Sequence, residues 1–339
     1  MEKLQRWWLT RWDRLSARFG SSGWFKWVLA LVGLYLLVCV ILGMFWSWEP
    51  GRFEVGEVVS EQAAGAPVVV GAHTTGALIH IVETLLDKPG GYLRNDRLPP
   101  GVWLDNVPRW EYGALVQARD ASRAMRKAFS RSQSQSTEDP DLIEAEPLLH
   151  FNNNSWLLPP TEREYRKALM HLRAYQSRML AGGGEAEFHA RADNLREWLA
   201  DVSTRLGSLS QRLSASVGRH ALGAVESSSA QAANQVDYKT PWMEIDNVFY
   251  EARGTAWALL HLLQGVEMDF AETLEKKEAL VSLQQIIREL EATQNTIWSP
   301  FILNGTGFGL VANHSLVMAS YISRANAGII DLRDLLSEG

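Results

Sequence analysis

The feature that most constrains this chain is a run of twenty-two residues, Trp27 to Trp48, without a single charge. As a helix it reaches about 33 Å, which matches the roughly 30 Å hydrocarbon core of a bilayer. Leu, Ile, Val and Phe dominate it, and each favours insertion by about 0.3–0.6 kcal/mol at the helix centre. Aromatic residues crowd both ends: Trp24, Phe25 and Trp27 on one side, Phe45, Trp46 and Trp48 on the other. Paired belts of this kind mark the two bilayer interfaces. A cleaved signal peptide has an apolar core of about 7–15 residues and a small-x-small cleavage site. The residues from Met44 to Pro50 offer no such site. The expectation is a retained transmembrane helix over residues 24–48, with Trp24, Trp27, Trp46 and Trp48 as its interfacial anchors.

Charge then sets the orientation. Residues 1–26 carry Lys3, Arg6, Arg11, Arg14, Arg18 and Lys26 against Glu2 and Asp13, whereas Glu49, Glu54, Glu57 and Glu61 follow the span with only Arg52. The positive-inside rule puts the N-terminus in the cytoplasm. The remainder then lies on the outer face, which in a Gram-negative bacterium is the periplasm. Leu4, Trp8, Trp12, Leu15 and Phe19 recur at helical spacing, with basic residues on another face. Residues 1–23 therefore read as a cytoplasmic amphipathic tail on the anionic inner leaflet. From residue 27 onward there are 27 Lys and Arg against 37 Asp and Glu. So acidic a body is expected to stand off its own membrane unless a basic patch intervenes. It also speaks against a nucleic-acid partner, which needs a basic footprint. The single cysteine, Cys39, lies inside the span, so no disulfide framework or Cys-rich metal site is available.

Residues 49–67 read as a linker, and residues 68–339 as a helical periplasmic domain. Val68–Leu86 is a helix candidate, and the four prolines between 88 and 109 suggest an extended connection. Trp110–Ser130 carries a stripe of Leu115, Ala118, Ser122, Met125 and Phe129. Residues 131–148, polar and then acidic, read as an exposed loop. Thr161 with Glu164 forms a capping-box pattern. Phe188, Ala192, Leu195, Leu199, Val202, Leu206, Leu209 and Leu213 step by four and three, a coiled-coil seam or a long bundle helix. If continuous from about 185 to 219, it reaches roughly 50 Å and suits a stalk or scaffold. A second run from Trp242 to Phe270 does the same, with Thr240 as cap and Pro241 in the first helical position. The phase slips over 271–279 and resumes from Leu280. A last helix starts near Val311. With no strand pattern in view, the fold class is all-α: a single N-terminal transmembrane helix followed by an elongated antiparallel helical-bundle domain.

Several segments taken together are distinctive. They are Gly90-Gly-Tyr-Leu-Arg-Asn-Asp96, Pro99-Pro-Gly-Val102, Leu104-Asp-Asn106, Phe129-Ser-Arg-Ser-Gln-Ser-Gln-Ser136, Asn152-Asn-Asn-Ser-Trp156, Ala190-Arg-Ala-Asp-Asn-Leu195 and Arg205-Leu-Gly-Ser-Leu-Ser-Gln-Arg-Leu213. In these the chain resembles the domain-of-unknown-function family 2333, predicted inner-membrane proteins of proteobacteria, from the span to the C-terminus. The resemblance implies a bacterial envelope protein and implies no activity.

Two constellations carry chemistry in principle. Arg119, Arg123, Arg126, Lys127 and Arg131 form a basic ridge that suits phosphate headgroups, an anionic glycan or an acidic partner. The bland alternative is pairing with Asp120 and the acids from Glu138 to Glu146. His73, His80 and Glu83 are the weak candidate for a metal site, His80 and Glu83 having the i, i+3 spacing of some bundle-core metal pairs. The alternative there is an ordinary polar helix face. Asn304-Gly-Thr-Gly-Phe-Gly309 follows a helix and lacks the Lys-Ser/Thr of a phosphate loop, so it reads as a helix–helix turn. No catalytic motif is present and no cofactor is implied. The expected role is a scaffold or accessory subunit that meets other envelope proteins and membrane lipid, with a homo-oligomer as a further option. A lipid- or glycan-binding module is the alternative, and a metal-dependent envelope hydrolase a third reading.

Overall fold

The computed structural model describes residues 23–133, 136–184, 186–220, 237–299, 301–305 and 311–338. The basic tail expected over residues 1–23 therefore lies outside the described residues, save Gly23. Eleven α-helices are described. The first, α1 (Gly23–Trp46), carries the uncharged run. Within it Lys26–Trp46 is long and apolar enough to cross a bilayer, and most of its side chains face away from the rest of the chain.

The body follows as α2 (Val55–Ala63), α3 (Ala72–Asp87), α4 (Asn106–Ala124), α5 (Pro140–Leu149), α6 (Thr161–Leu180), α7 (Ala192–Ser214), α8 (Ile245–Asp269), α9 (Ala271–Lys276), α10 (Leu280–Ala292) and α11 (His314–Ser337). The only strands among the described residues are a two-residue antiparallel pair, Arg219–His220 with Asp237–Tyr238. Helix α8 is the hub: nineteen of its residues are buried, from Ile245 to Asp269. Most of them are apolar or glycine, and the buried charged ones, Glu251, Arg253 and Asp269, each have a partner. Against it α3, α7 and α10 run antiparallel, whereas α4 runs in the same direction, with Arg109 near Glu244 at one end and Phe129 near Phe270 at the other. Glycines set how closely α4 and α8 approach. A Cβ on Gly254 would lie 1.9 Å from the carbonyl oxygen of Trp110, and one on Gly113 would lie 2.0 Å from that of Glu251.

The leucine seam of α7 is buried as its period predicts. It is filled by α11 of the same chain, where Ser210 Oγ and Ser323 Oγ meet at 2.6 Å. Helix α7 covers 23 residues, about 34 Å rather than 50 Å. It starts only at Ala192 and ends at the turn Ala215–Val217.

Other expectations need correction. Residues 131–148 are not simply an exposed loop. Asp139 caps α5 by accepting from the Asp141 and Leu142 N–H groups, Pro140 takes the first position, and Leu142, Ala145 and Leu149 are buried. The capping box at Thr161 does not form: Thr161 is inside the helix, and its hydroxyl donates to Asn152 O at 2.8 Å. Thr240 does not cap α8, which is preceded by the 3-10 turn Trp242–Glu244, and Trp242 is exposed rather than part of the seam.

The chain passes back and forth between two ends. The end beside the last turn of α1 is the proximal end. It gathers the loop 88–105, the loop 151–160, the turn before α8 and the segment 293–305. Asn95 Nδ2 donates to Ser155 O at 2.8 Å, and Asn304 Nδ2 to Ser216 O at 3.0 Å, tying neighbouring loops together there.

Candidate functional site

The five residues Glu49 to Phe53, just after the apolar helix, do not hang as a tether. They lie extended along α8. Glu49 accepts from Arg253, with Nε 2.8 Å and Nη2 2.7 Å from Oε2. Trp257 Nε1 donates to Gly51 O at 2.9 Å. Phe53 N donates to His261 Nε2 at 3.1 Å, and the two rings stack with centroids 3.8 Å apart. The register is a consequence of geometry. Two residues of extended chain advance about 6.6 Å, and four residues of helix advance about 6 Å. Residues 49, 51 and 53 therefore keep step with 253, 257 and 261. Downstream, Val55 and Val59 of α2 are buried in the main core, so the segment 49–67 is docked along most of its length.

Each partner is itself held. Arg253 Nη1 also donates to Thr293 O and Asn295 O, both at 2.9 Å, which satisfies a charge almost wholly removed from water. His261 Nδ1 lies 2.7 Å from Trp257 O. With Nε2 accepting from Phe53, Nδ1 carries the proton and the ring is neutral. Burial holds its pKa down at about 4, with His80 and Arg52 adding to the depression. The edge of His80 closes the far side of Phe53, at 4.3 Å between centroids.

A second anchorage lies at the turn after α3. Lys88 and Glu111 form a fully buried pair at 2.5 Å, and Glu111 also accepts from Leu93 N and Arg94 N, each at 2.8 Å. Burial pushes the Glu111 carboxyl up, and Lys88 pulls it back. This pins the glycine turn on which Trp46 rests: a Cβ on Gly90 would lie 2.7 Å from the Trp46 ring. One turn earlier, Gly43 faces Pro100 and Leu104. The last turn of the apolar helix and the strap are thus fixed to the same body.

The residues singled out from sequence fall as follows. Trp24, Trp27 and Trp48 are exposed at the ends of the apolar helix, and Trp46 is half-buried. The basic ridge folds inward. Arg119 donates to Leu149 O, Phe151 O and the Tyr165 hydroxyl. Arg126 bridges Glu138 and Glu146, each at 2.6 Å. Arg123 meets His150, and Arg131 meets Ser136 O. Lys127 is exposed. Arg119, Arg123 and Arg126 thus staple α5 onto α4 and the turn that follows it, and Arg131 holds the loop before α5. His73, His80 and Glu83 are not brought together: His73 Nδ1 meets Asp269 at 3.0 Å, and His80 Nδ1 meets Glu83 at 3.5 Å. No group of three or more His, Cys, Asp or Glu fit to hold a metal occurs among the described residues.

The family model described as "Uncharacterized protein conserved in bacteria (DUF2333)" matches residues 20–339. The chain belongs to this family. No curated protein and no solved structure matches the chain. In this DUF2333 chain, sequence reasoning missed the strap contacts and one polar cleft. The signal for the first was present: Arg253, Trp257 and His261 are spaced four apart, a polar and aromatic stripe on an otherwise apolar helix. The cleft, about 280 Å³, lies between α4, α7 and α8, and Gln117, Arg205, Arg212 and Glu251 are among its lining residues. Gln117 is buried, and neither its Nε2 nor its Oε1 has a partner among the described residues. The basic residues beside it are engaged: Arg205 with Asp120 at 2.9 Å and Arg212 with Glu251 at 2.6 Å.

Proposed function

We propose that the chain is a single-pass inner-membrane protein, N-terminus in the cytoplasm, whose periplasmic helical body is a scaffold or accessory subunit of an envelope assembly. The observation that carries this reading is the strap. An enzyme that only needs to be near a membrane works on a slack tether. A body clamped to its span by Glu49–Arg253, Gly51–Trp257 and Phe53–His261 presents its faces in one orientation, which is what a scaffold requires. The charge asymmetry across the span supports the orientation. In-cell photo-crosslinking from exposed positions on α11 is expected to give discrete adducts with envelope proteins. Those adducts are lost in Arg253→Ala, which frees the body while the chain stays inserted. Adducts indistinguishable from background, or unchanged in Arg253→Ala, contradict the proposal.

A second reading is a module that binds a small neutral polar ligand such as a glycan unit, and Gln117 favours it. A buried amide without partners is costly, about 1–3 kcal/mol, and a ligand hydroxyl would satisfy both of its atoms. Native mass spectrometry of the chain with cell-wall saccharides tests it, with binding expected to vanish in Gln117→Leu.

A further inference from the structure

The geometry points to the proximal end of the helical body being a lipid-contacting collar that rests in the headgroup region of the same bilayer α1 crosses. The inference builds on the reading of α1 as a membrane span. Its first support is depth. Gly43 sits one turn before the end of the apolar helix and packs on Pro100 and Leu104. The loop from Leu98 to Leu104 therefore lies beside the apolar helix rather than beyond it. If α1 spans, this loop is at interfacial depth by construction.

Its second support is where the tryptophans go. Seven tryptophans follow the span. Trp110, Trp198 and Trp257 are core residues. The remaining four are largely exposed, Trp103 at 54%, Trp156 at 49%, Trp242 at 78% and Trp298 at 93%. All four lie on proximal loops, beside Leu98 at 66% and Leu158 at 88% exposed. Among the described residues no tryptophan is exposed on the lateral or distal faces. The loops that carry them are joined: Asn95 bonds to Ser155 O, and Asp105, Trp242 and Phe301 line one cleft. Tryptophan rings combine an apolar body with an N–H that prefers water, and they concentrate at the bilayer interface. A collar of them at the exit of a span would hold this end of the acidic body at the membrane despite its net charge. The net charge is a property of the whole body, and these rings are a property of one end.

Depth measurement by spin labelling tests this on the full chain in vesicles of phosphatidylethanolamine and phosphatidylglycerol. In a Cys39→Ser background, single cysteines replace Trp103, Leu158 or Trp298 on the collar, Val281 at the distal end and Val38 in the apolar helix. Oxygen reports lipid and a water-soluble nickel chelate reports solvent. Collar labels are expected to favour oxygen over nickel several-fold relative to Val281→Cys. Collar labels as nickel-accessible as Val281→Cys overturn the collar. Labels shielded from both relaxants reveal a protein occupant and overturn it too. Val38→Cys separates the two levels: lipid accessibility there with aqueous collar labels rejects the collar and keeps the span, whereas an aqueous Val38→Cys rejects both.

Discussion

Glu49, the first charged residue after the apolar helix, is held by Arg253 of the central helix, 204 positions later in the chain. Arg253 uses its third guanidinium nitrogen, Nη1, to bind the carbonyls of Thr293 and Asn295 just after α10. One guanidinium thus joins the end of the apolar helix, the hub helix and the segment leading to α11.

Breaking that pair from one side is expected to be costly. Removing one partner of a buried, hydrogen-bonded ion pair typically destabilises by about 3–5 kcal/mol, because the other charge is stranded. Arg253→Ala should lower the unfolding free energy of the detergent-solubilised chain by about that amount. Glu49→Gln, which keeps a hydrogen-bond acceptor, should cost less. Chemical denaturation of the two variants in parallel checks the order.

The His261 contact makes the strap acid-sensitive. Its folded pKa, about 4, lies below the usual histidine value of 6.5. Between these limits the unfolded chain binds the proton and the folded chain does not, so stability falls as pH falls from 6.5 towards 4. The full depression corresponds to about 3 kcal/mol. Protonating Nε2 also removes the acceptor for Phe53 N–H. Hydrogen exchange at Phe53 should accelerate as pH falls through this window beyond its intrinsic pH dependence, and His261→Gln should abolish the excess.

The crossing of α4 and α8 tolerates no side chain at its closest points. Gly254→Ala places a methyl group against the Trp110 carbonyl, and Gly113→Ala places one against that of Glu251. Both contacts are with backbone, which cannot rotate aside. Each substitution is expected to cost more than the usual 1–3 kcal/mol of overpacking. Gly182→Ala, where the backbone is left-handed but open to solvent, should cost only about 1 kcal/mol. Thermal melts of the three variants give the comparison.

The seam of α7 is legible because its four-three pattern is carried by consecutive turns, and Leu195, Leu199, Val202, Leu206, Leu209 and Leu213 are all buried. The α1 run was legible for the same kind of reason, a property carried by consecutive residues. Helix α5 was not, since ten residues interrupted by Pro147 and rich in acids carry little periodicity. What fixes it is tertiary: Asp139 capping its start and Arg126 bridging its acids. Only the helix side of the strap is legible, as Arg253, Trp257 and His261 spaced four apart; Glu-Pro-Gly-Arg-Phe has no period of its own, and its register exists only against a helix folded from distant sequence. The basic ridge is visible in sequence as a row of charge, but its pairing with Glu138 and Glu146 depends on how α5 folds back.

That pairing gives a modest prediction. Arg126 is partly solvent-exposed, so Arg126→Ala should cost only about 1 kcal/mol. It should, however, raise proteolysis within residues 131–148 selectively, as α5 loosens from α4. Limited proteolysis with mass mapping distinguishes this from global unfolding.

The central claim is that the body is clamped to its span rather than tethered. Dipolar spin-label spectroscopy between Val38→Cys and Val281→Cys, in the Cys39→Ser chain reconstituted into nanodiscs, measures this directly. A single narrow distance distribution that broadens in Arg253→Ala is the predicted result. A broad distribution in the parent chain, unchanged by Arg253→Ala, contradicts the claim.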